Sequence, residues 1–445
     1  LGRTMPPTLR PYQRDALAFM QRYQRTIYGD GPGTGKTPTA TRLHPHVVVA
    51  PKSVLRMWGE RLVEWGAGTP FLAVGTPKQR ALMYETATQA TPLVLSYETM
   101  RQDIEQVRRL DVGVLVFDEA HRLKNRKAAV RKAAAKLTRR PEIVAMLTGT
   151  PILNHPEELW SALNLLYPTK FPSYWRWVHE HYHVKVTDFR GRLARPVTIV
   201  GDLLPGHEPI LQADLSGVLI QRPLALLLPD MPPVSTTRLT VDLTPDERKH
   251  YQQMLKFDWT AIGDEPTVAA NDVSRISRLR QLASDWTALG ATTPGTKARA
   301  AAELAADIGE PVVIFTAYRA TAVAVAGLVG AAAVYTGEQS AEEREQAVRS
   351  FVSGDVSVLV GTIGALSEGV DGLQAVSRHI IFVDRDWTPA RNEQAIGRIR
   401  RSGQQSGVQV WNIVARDTVD EDVEAALASK ESVIEAVLGT LEASR

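Results

Sequence analysis

Ten short apolar runs, rich in valine and isoleucine, recur along this chain in two sets of five. The first set is 26–29, 46–51, 92–97, 112–119 and 143–150; the second is 311–318, 331–337, 356–362, 379–386 and 408–415. Runs that are apolar throughout, rather than alternating, suit strands buried on both faces. The stretches between them, among them 52–65 and 126–139, read as crossover helices. Strand–helix alternation predicts parallel α/β sheets, with ligands at the C-terminal ends of the strands. Two such sets in 445 residues predict two lobes.

Composition removes several classes of function. With no cysteine, disulfides, thiolate metal sites and cysteine catalysis are excluded, and an intracellular setting is expected. No stretch of about 18 apolar residues occurs, so no membrane span is expected. The formal charge of +3 leaves nucleic acid open, because the distribution of the 52 Lys and Arg residues decides that question.

Reactive residue types gather at the ends of the first set of runs. GDGPGTGKT (29–37) follows the first run. Gly33, Thr34 and Gly35 let the backbone turn N–H groups toward phosphate oxygens, while Lys36 would reach the β- and γ-phosphates and Thr37 would hold magnesium. Asp30 stands where the usual pattern has its first glycine. VLVFDEAH (114–121) places Asp118 at a strand tip to ligate magnesium and Glu119 beside it to orient or deprotonate water. His121 is a candidate relay of the nucleotide state, and Thr148, Gly149 and Thr150 a candidate link between hydrolysis and lobe movement. Upstream, LRPYQ (9–13) offers Tyr12 for stacking on adenine and Gln13 for its polar edge.

Residues 161–235 break the rhythm. His179, His181 and His183 would share one face of a strand, but the preceding text is helical and no partner ligand is evident, so a packing patch is expected rather than zinc. Trp175, Arg176, Trp177, Lys185, Arg190, Arg192 and Arg195 form a basic–aromatic mixture able to touch a nucleic-acid backbone. No obvious strand-separating wedge hairpin stands out, although a short one around 186–200 would escape this reading. TPDERKHYQQML opens a helix with Thr244 as N-cap, Pro245 at N1 and Glu247 at N3, and 259–272 reads as a loop. The second set of runs has no GKT loop of its own. It carries SEGVDGLQ (367–374) and QAIGRIRRSGQ, where Arg398 and Arg401, three apart, would share a helical face and act as arginine fingers.

Taken in order, LRPYQ, GTGKT, VVVAPKSVLRMWGERL, DEAH, LTGTPILN, VDLTPDERKHY, VVIFTAYR, SEGVDGLQ and DWTPARNEQAIGRIRRSGQ resemble the SNF2-type ATPases of helicase superfamily 2. The resemblance covers most of 8–416 and implies two RecA-like parallel-sheet lobes with a small, mostly helical insertion between them. The implied divisions are 1–165 for the first lobe, 166–240 for the insertion, 241–290 for a linker and helix, 291–418 for the second lobe and 419–445 for a C-terminal brace helix. It also implies ATP and Mg2+, and a DNA-stimulated ATPase that tracks along duplex DNA, as a monomer in the cytoplasm of a bacterium or a phage-infected host. A compact bacterial or phage form is expected, with protein partners left open. Asp30 then belongs to the family's own form of the loop, and Arg222 matches its usual arginine. Leu153 and Arg400 depart from the family's Gln and His. A strand-separating or annealing helicase, and a non-enzymatic DNA-binding scaffold, are the competing readings.

Overall fold

The computed structural model describes residues 7–87, 91–149, 158–187, 197–262, 265–367, 370–401 and 403–438. The chain forms two compact units, with boundaries between Pro229 and Asp230 and between Glu431 and Ser432. No helix among the described residues is long and apolar enough to cross a membrane.

The first unit contains β1 (Arg25–Tyr28), β2 (Val47–Ala50), β3 (Phe71–Leu72), β4 (Leu93–Ser96), β5 (Val114–Asp118), β6 (Ile143–Leu147), β7 (Tyr182–Thr187), β8 (Val197–Leu203) and β9 (Leu219–Ile220). Seven of these make one parallel sheet in the order β3-β4-β2-β5-β6-β1-β9. Side chains alternate across it, as the two-residue period of a strand requires. Val47, Val49, Leu115 and Phe117 join the core on one face, and Val48, Ala50, Val114 and Val116 the core on the other. Burial on both faces explains why these runs contain no polar interruptions.

The second unit contains β10 (Val234–Val241), β11 (Trp259–Ile262), β12 (Glu265–Val268), β13 (Val312–Thr316), β14 (Ala332–Tyr335), β15 (Val358–Thr362), β16 (His379–Phe382) and β17 (Val408–Ala415). Its parallel sheet runs β10-β17-β16-β13-β15-β14 and again has a core on each face, Val313 and Phe315 on one and Val312 and Ile314 on the other. Lys297 is 1% exposed and sits between Asp420 Oδ2 at 2.7 Å and Asp384 Oδ1 at 3.3 Å. Asp420 lies at the start of the C-terminal helix Val419–Leu438, so that helix is tied into the unit by a buried charge.

The segment between the lobes adds to the helices Tyr174–His181 and Glu208–Leu215 an antiparallel pair, β7 and β8, from Tyr182↔Leu203 to Thr187↔Val197. Residues 234–240, assigned to that segment, form with Val241 the edge strand of the second sheet beside β17. The stretch 259–272, read as a loop, holds the hairpin β11–β12 and the start of the helix Asp272–Ser284. The three histidines do not share a strand face, because the helix Tyr174–His181 gives way to β7 at Tyr182. Among the described residues, no group of three or more His, Cys, Asp or Glu side chains is placed to hold a metal ion.

Candidate active site

β5, β6 and β1 are consecutive in the sheet, with Asp118 and Tyr28 both in register with Leu147. Their C-terminal ends therefore bring 29–37, 118–121 and 148–149 together. In the glycine loop, Gly35 has φ of 77°, a conformation that favours glycine, and a Cβ there would lie 2.3 Å from Gln13 Nε2 and displace that amide. Lys36 Nζ donates to the carbonyls of Asp30 at 2.8 Å and Gly31 at 3.0 Å, and a Cβ on Gly149 would stand 3.4 Å from it.

Asp30 takes no part in turning the loop. It is fully buried, and its carboxylate accepts from Arg222 through the backbone N at 3.0 Å, through Nε at 3.3 Å and through Nη2. Arg222 Nη2 also donates to the Tyr12 carbonyl at 3.0 Å. One buried ion pair thus fastens the loop, the first helix and the segment after β9. Tyr12 and Gln13 close on the same loop: Tyr12 OH and Gln13 Nε2 donate to Thr34 O at 3.0 and 2.9 Å. Gln13 Oε1 accepts from the Arg10 backbone at 2.8 Å, so both ends of its amide are engaged by the protein itself.

Asp118 is buried. Its Oδ2 accepts from Trp58 Nε1 at 2.7 Å, and its Oδ1 from the Glu119 backbone N–H at 3.0 Å. Burial, and next the charge of Glu119, raise its pKa to about 6, against the Trp58 bond and the charge of Lys36. A carboxylate so poorly compensated is one that a cation would stabilise, and carboxylate with hydroxyl oxygen is the donor chemistry Mg2+ takes. Asp118 therefore fits a magnesium ion, to which Thr37, next to Lys36 in the sequence, would add a hydroxyl oxygen. Glu119 lies in the left-handed region, with φ 50° and ψ 51°. A non-glycine residue there is strained, a strain that tends to be kept where chemistry needs the direction it gives the side chain. Its Oε2 is 3.2 Å from His121 Nδ1, which is in turn 3.5 Å from Thr148 Oγ1.

Sequence reasoning missed Trp58 and Tyr97. Tyr97 OH donates to the Asp118 carbonyl at 2.7 Å, so Asp118 is held at its carboxylate by one aromatic donor and at its backbone by another. A tryptophan on a helix leaving a buried strand was the available signal, but apolar packing accounts for such a residue equally well.

In the second unit, the helix Pro389–Ile396 ends before Arg398. Arg398 and Arg401 lie in the turn beyond it rather than on a helical face. Both nevertheless reach one loop: Arg398 Nη1 donates to Val370 O at 3.2 Å, and Arg401 pairs with Asp371. Of the basic–aromatic mixture, Trp175 and Arg176 are exposed whereas Trp177 is 4% exposed and belongs to the core. Thr150, Leu153, Glu368, Gly369 and the side chains of Lys185, Arg190, Arg192 and Arg195 lie outside the described residues.

A family model described as the SNF2-related domain matches residues 12–286, more than half of the chain, and one described as the helicase conserved C-terminal domain matches 296–403. An uncharacterised ATP-dependent helicase of Mycoplasma pneumoniae is 23% identical, over 97% of this chain and 42% of its own length. The DNA annealing helicase and endonuclease ZRANB3 of Mus musculus is 25% identical, over 96% of this chain and 40% of its own. A SWI2/SNF2 ATPase core of Sulfolobus solfataricus, solved in complex with dsDNA, is 20% identical with a TM-score of 0.45, over 98% of this chain and 94% of that one. The chain spans about two fifths of the length of these two curated relatives.

Proposed function

Because this chain belongs to the SNF2-related family, we propose that it is a DNA-stimulated ATPase that translocates along duplex DNA and moves or remodels DNA or the proteins on it. The observation that carries the reading is the meeting of Lys36, Asp118, Glu119, His121 and Thr148 at adjacent strand ends. ZRANB3, by its name a DNA helicase, supports DNA as the partner.

Lys36 donates to two loop carbonyls, and an entering phosphate would exchange those acceptors for its own oxygens. Thr37 and Asp118 would hold Mg2+, which neutralises charge on the phosphate oxygens during transfer. Glu119 orients the attacking water. His121, between Glu119 and Thr148, links that carboxylate to the exit of β6. Arg398 and Arg401 supply positive charge to the γ-phosphate as fingers, and since one loop holds both, its movement moves both.

The hairpin β7–β8 favours a second reading, strand separation, because a β-ribbon can serve as a wedge. The test is ATPase activity with duplex, single-stranded and forked DNA, alongside triplex displacement and unwinding. Stimulation by duplex with triplex displacement and no unwinding is expected. Best stimulation by single strands, with robust unwinding, sinks the first reading, and no turnover with any DNA leaves the scaffold. Lys36→Ala and Glu119→Gln should each abolish hydrolysis while leaving most DNA binding.

A further inference from the structure

The N-terminal ends of the strands hold a second cationic site in the first unit. Arg25 opens β1, whose far end leads into the glycine loop; three residue rises put about 10 Å of strand between the two ends. Beside Arg25, where the helices Ala129–Leu137 and Leu159–Leu166 finish, lies a cavity of about 530 Å³. That volume is in the range of small-molecule sites. Three arginines line it, Arg25, Arg131 and Arg139, together with Asn164, Tyr167 and Thr169, and no carboxylate does.

The guanidiniums of Arg25 and Arg131 are held by neutral groups. Arg25 donates to Thr138 O at 2.8 Å, Leu166 O at 3.4 Å and Pro141 O at 3.0 Å. It thereby caps two helix C-termini, which accounts for a cation at that position. Capping does not account for the other two. Arg131 is 9% exposed, donates to Ser161 Oγ at 3.2 Å and to Asn164 Oδ1, and lies 5.3 Å from the Trp160 ring. Arg139 is exposed at the mouth. Among the described residues, no carboxylate pairs with Arg25 or Arg131, and burial lowers the pKa of both. Three cations lining one concavity, with no carboxylate in its described lining, concentrate a positive field there.

We propose that this cavity is an anion site separate from the glycine loop, and that it takes a phosphate-bearing ligand of about nucleotide size. Two sources share that chemistry: a free phosphate compound, and the phosphorylated end of a nucleic-acid strand. A physical route connects the cavity to the DEAH turn. Arg131 Nε donates to Ser161 Oγ, and Ser161 Oγ donates at 2.6 Å to the carbonyl of Leu123, the last residue of the turn Ala120–Leu123. An anion that draws Arg131 toward itself acts on the segment that carries His121.

The experiment is calorimetric titration of full-length Lys36→Ala protein, in which the glycine loop is disabled, with inorganic pyrophosphate. Parallel titrations use a trinucleotide carrying a 5′-phosphate and the same trinucleotide with a 5′-hydroxyl. Saturable binding at one site is expected, weakened about tenfold or more by adding Arg139→Glu. Arg140→Glu makes the same charge change one residue away, at a side chain that bonds to Arg108 O outside the cavity, and should leave affinity within about threefold. Equal weakening by the two substitutions, binding untouched by Arg139→Glu, or no saturable binding to any probe overturns the proposal. Preference for the 5′-phosphate trinucleotide over its 5′-hydroxyl form and over pyrophosphate supports a strand end as the ligand, and preference for pyrophosphate supports a free compound.

Discussion

Arg222→Ala is the sharpest test of how the glycine loop is held. Asp30 is fully buried, and two of the three donors it accepts from belong to the Arg222 side chain. Breaking a buried pair by removing one partner costs about 3–5 kcal/mol, because the remaining charge is left uncompensated. Here the Arg222 backbone N–H stays at 3.0 Å and the arginine side chain is 12% exposed, which points to the lower end, about 3 kcal/mol. At about 1.4 kcal/mol per factor of ten, local opening should rise roughly a hundredfold. Amide hydrogen exchange followed by mass spectrometry reads this directly, in peptides spanning 26–37 and 216–225. Adding Asp30→Asn should recover a substantial part of the loss, since an unpaired amide is cheaper to bury than an unpaired carboxylate. Exchange that rises less than about threefold, or a double variant no better than the single one, would refute the account of Asp30 as an anchor.

Trp58→Phe keeps the ring and removes the donor to Asp118; a loss of about 1.5–3 kcal/mol is expected in the urea midpoint, and an unchanged midpoint would show that the indole bond contributes nothing. Arg398→Ala should lower kcat for ATP by a hundredfold or more with KM little changed, as finger residues do; steady-state kinetics with saturating DNA decides it. Burial lowers the pKa of His181 below its ordinary 6.5, so the folded state favours the neutral ring and the unfolded chain binds more protons as the pH falls. Its contribution is therefore fully present above pH 6.5 and is lost as pH falls below that value. His181→Gln should flatten the acid limb of a stability–pH curve, and an identical limb in the variant would contradict the sign.

The strands of both sheets were legible because burial on two faces leaves uninterrupted apolar text, as in VLVFD of β5 and VVIFT of β13. The N-terminus at 244 was legible for a local reason: Thr244 Oγ1 accepts from Glu247 N at 3.3 Å while Glu247 accepts from Thr244 N at 2.8 Å, a reciprocal bond written within four residues. Not every edge element was legible. β14 lies in the apolar run 331–337, and TTRLTVDL (236–243) reads as strand-like although half of β10 is exposed, but β9, two residues long, needs no apolar run. The hairpin β7–β8 was hidden because its register depends on pairing across a turn and its text resembles the loop around it. At the site, the loop and the DEAH residues announce themselves through types that few other roles require. Trp58, Tyr97 and the pairing of Asp30 with Arg222 depend on contacts 60, 21 and 192 residues apart, which no local pattern encodes.

The position of Lys297 bears on how this protein can be handled. Its ammonium is shared between Asp384 and the first turn of the C-terminal helix. Cutting the chain before Asp420 is therefore no trimming of a loose end: it removes a counter-ion from the interior and leaves Asp384 as the remaining carboxylate partner. Shortened versions made for crystallisation, or fusions that pull on that helix, should be placed after 431, beyond the last residue of the second unit, if the sheet beneath is to keep its stability.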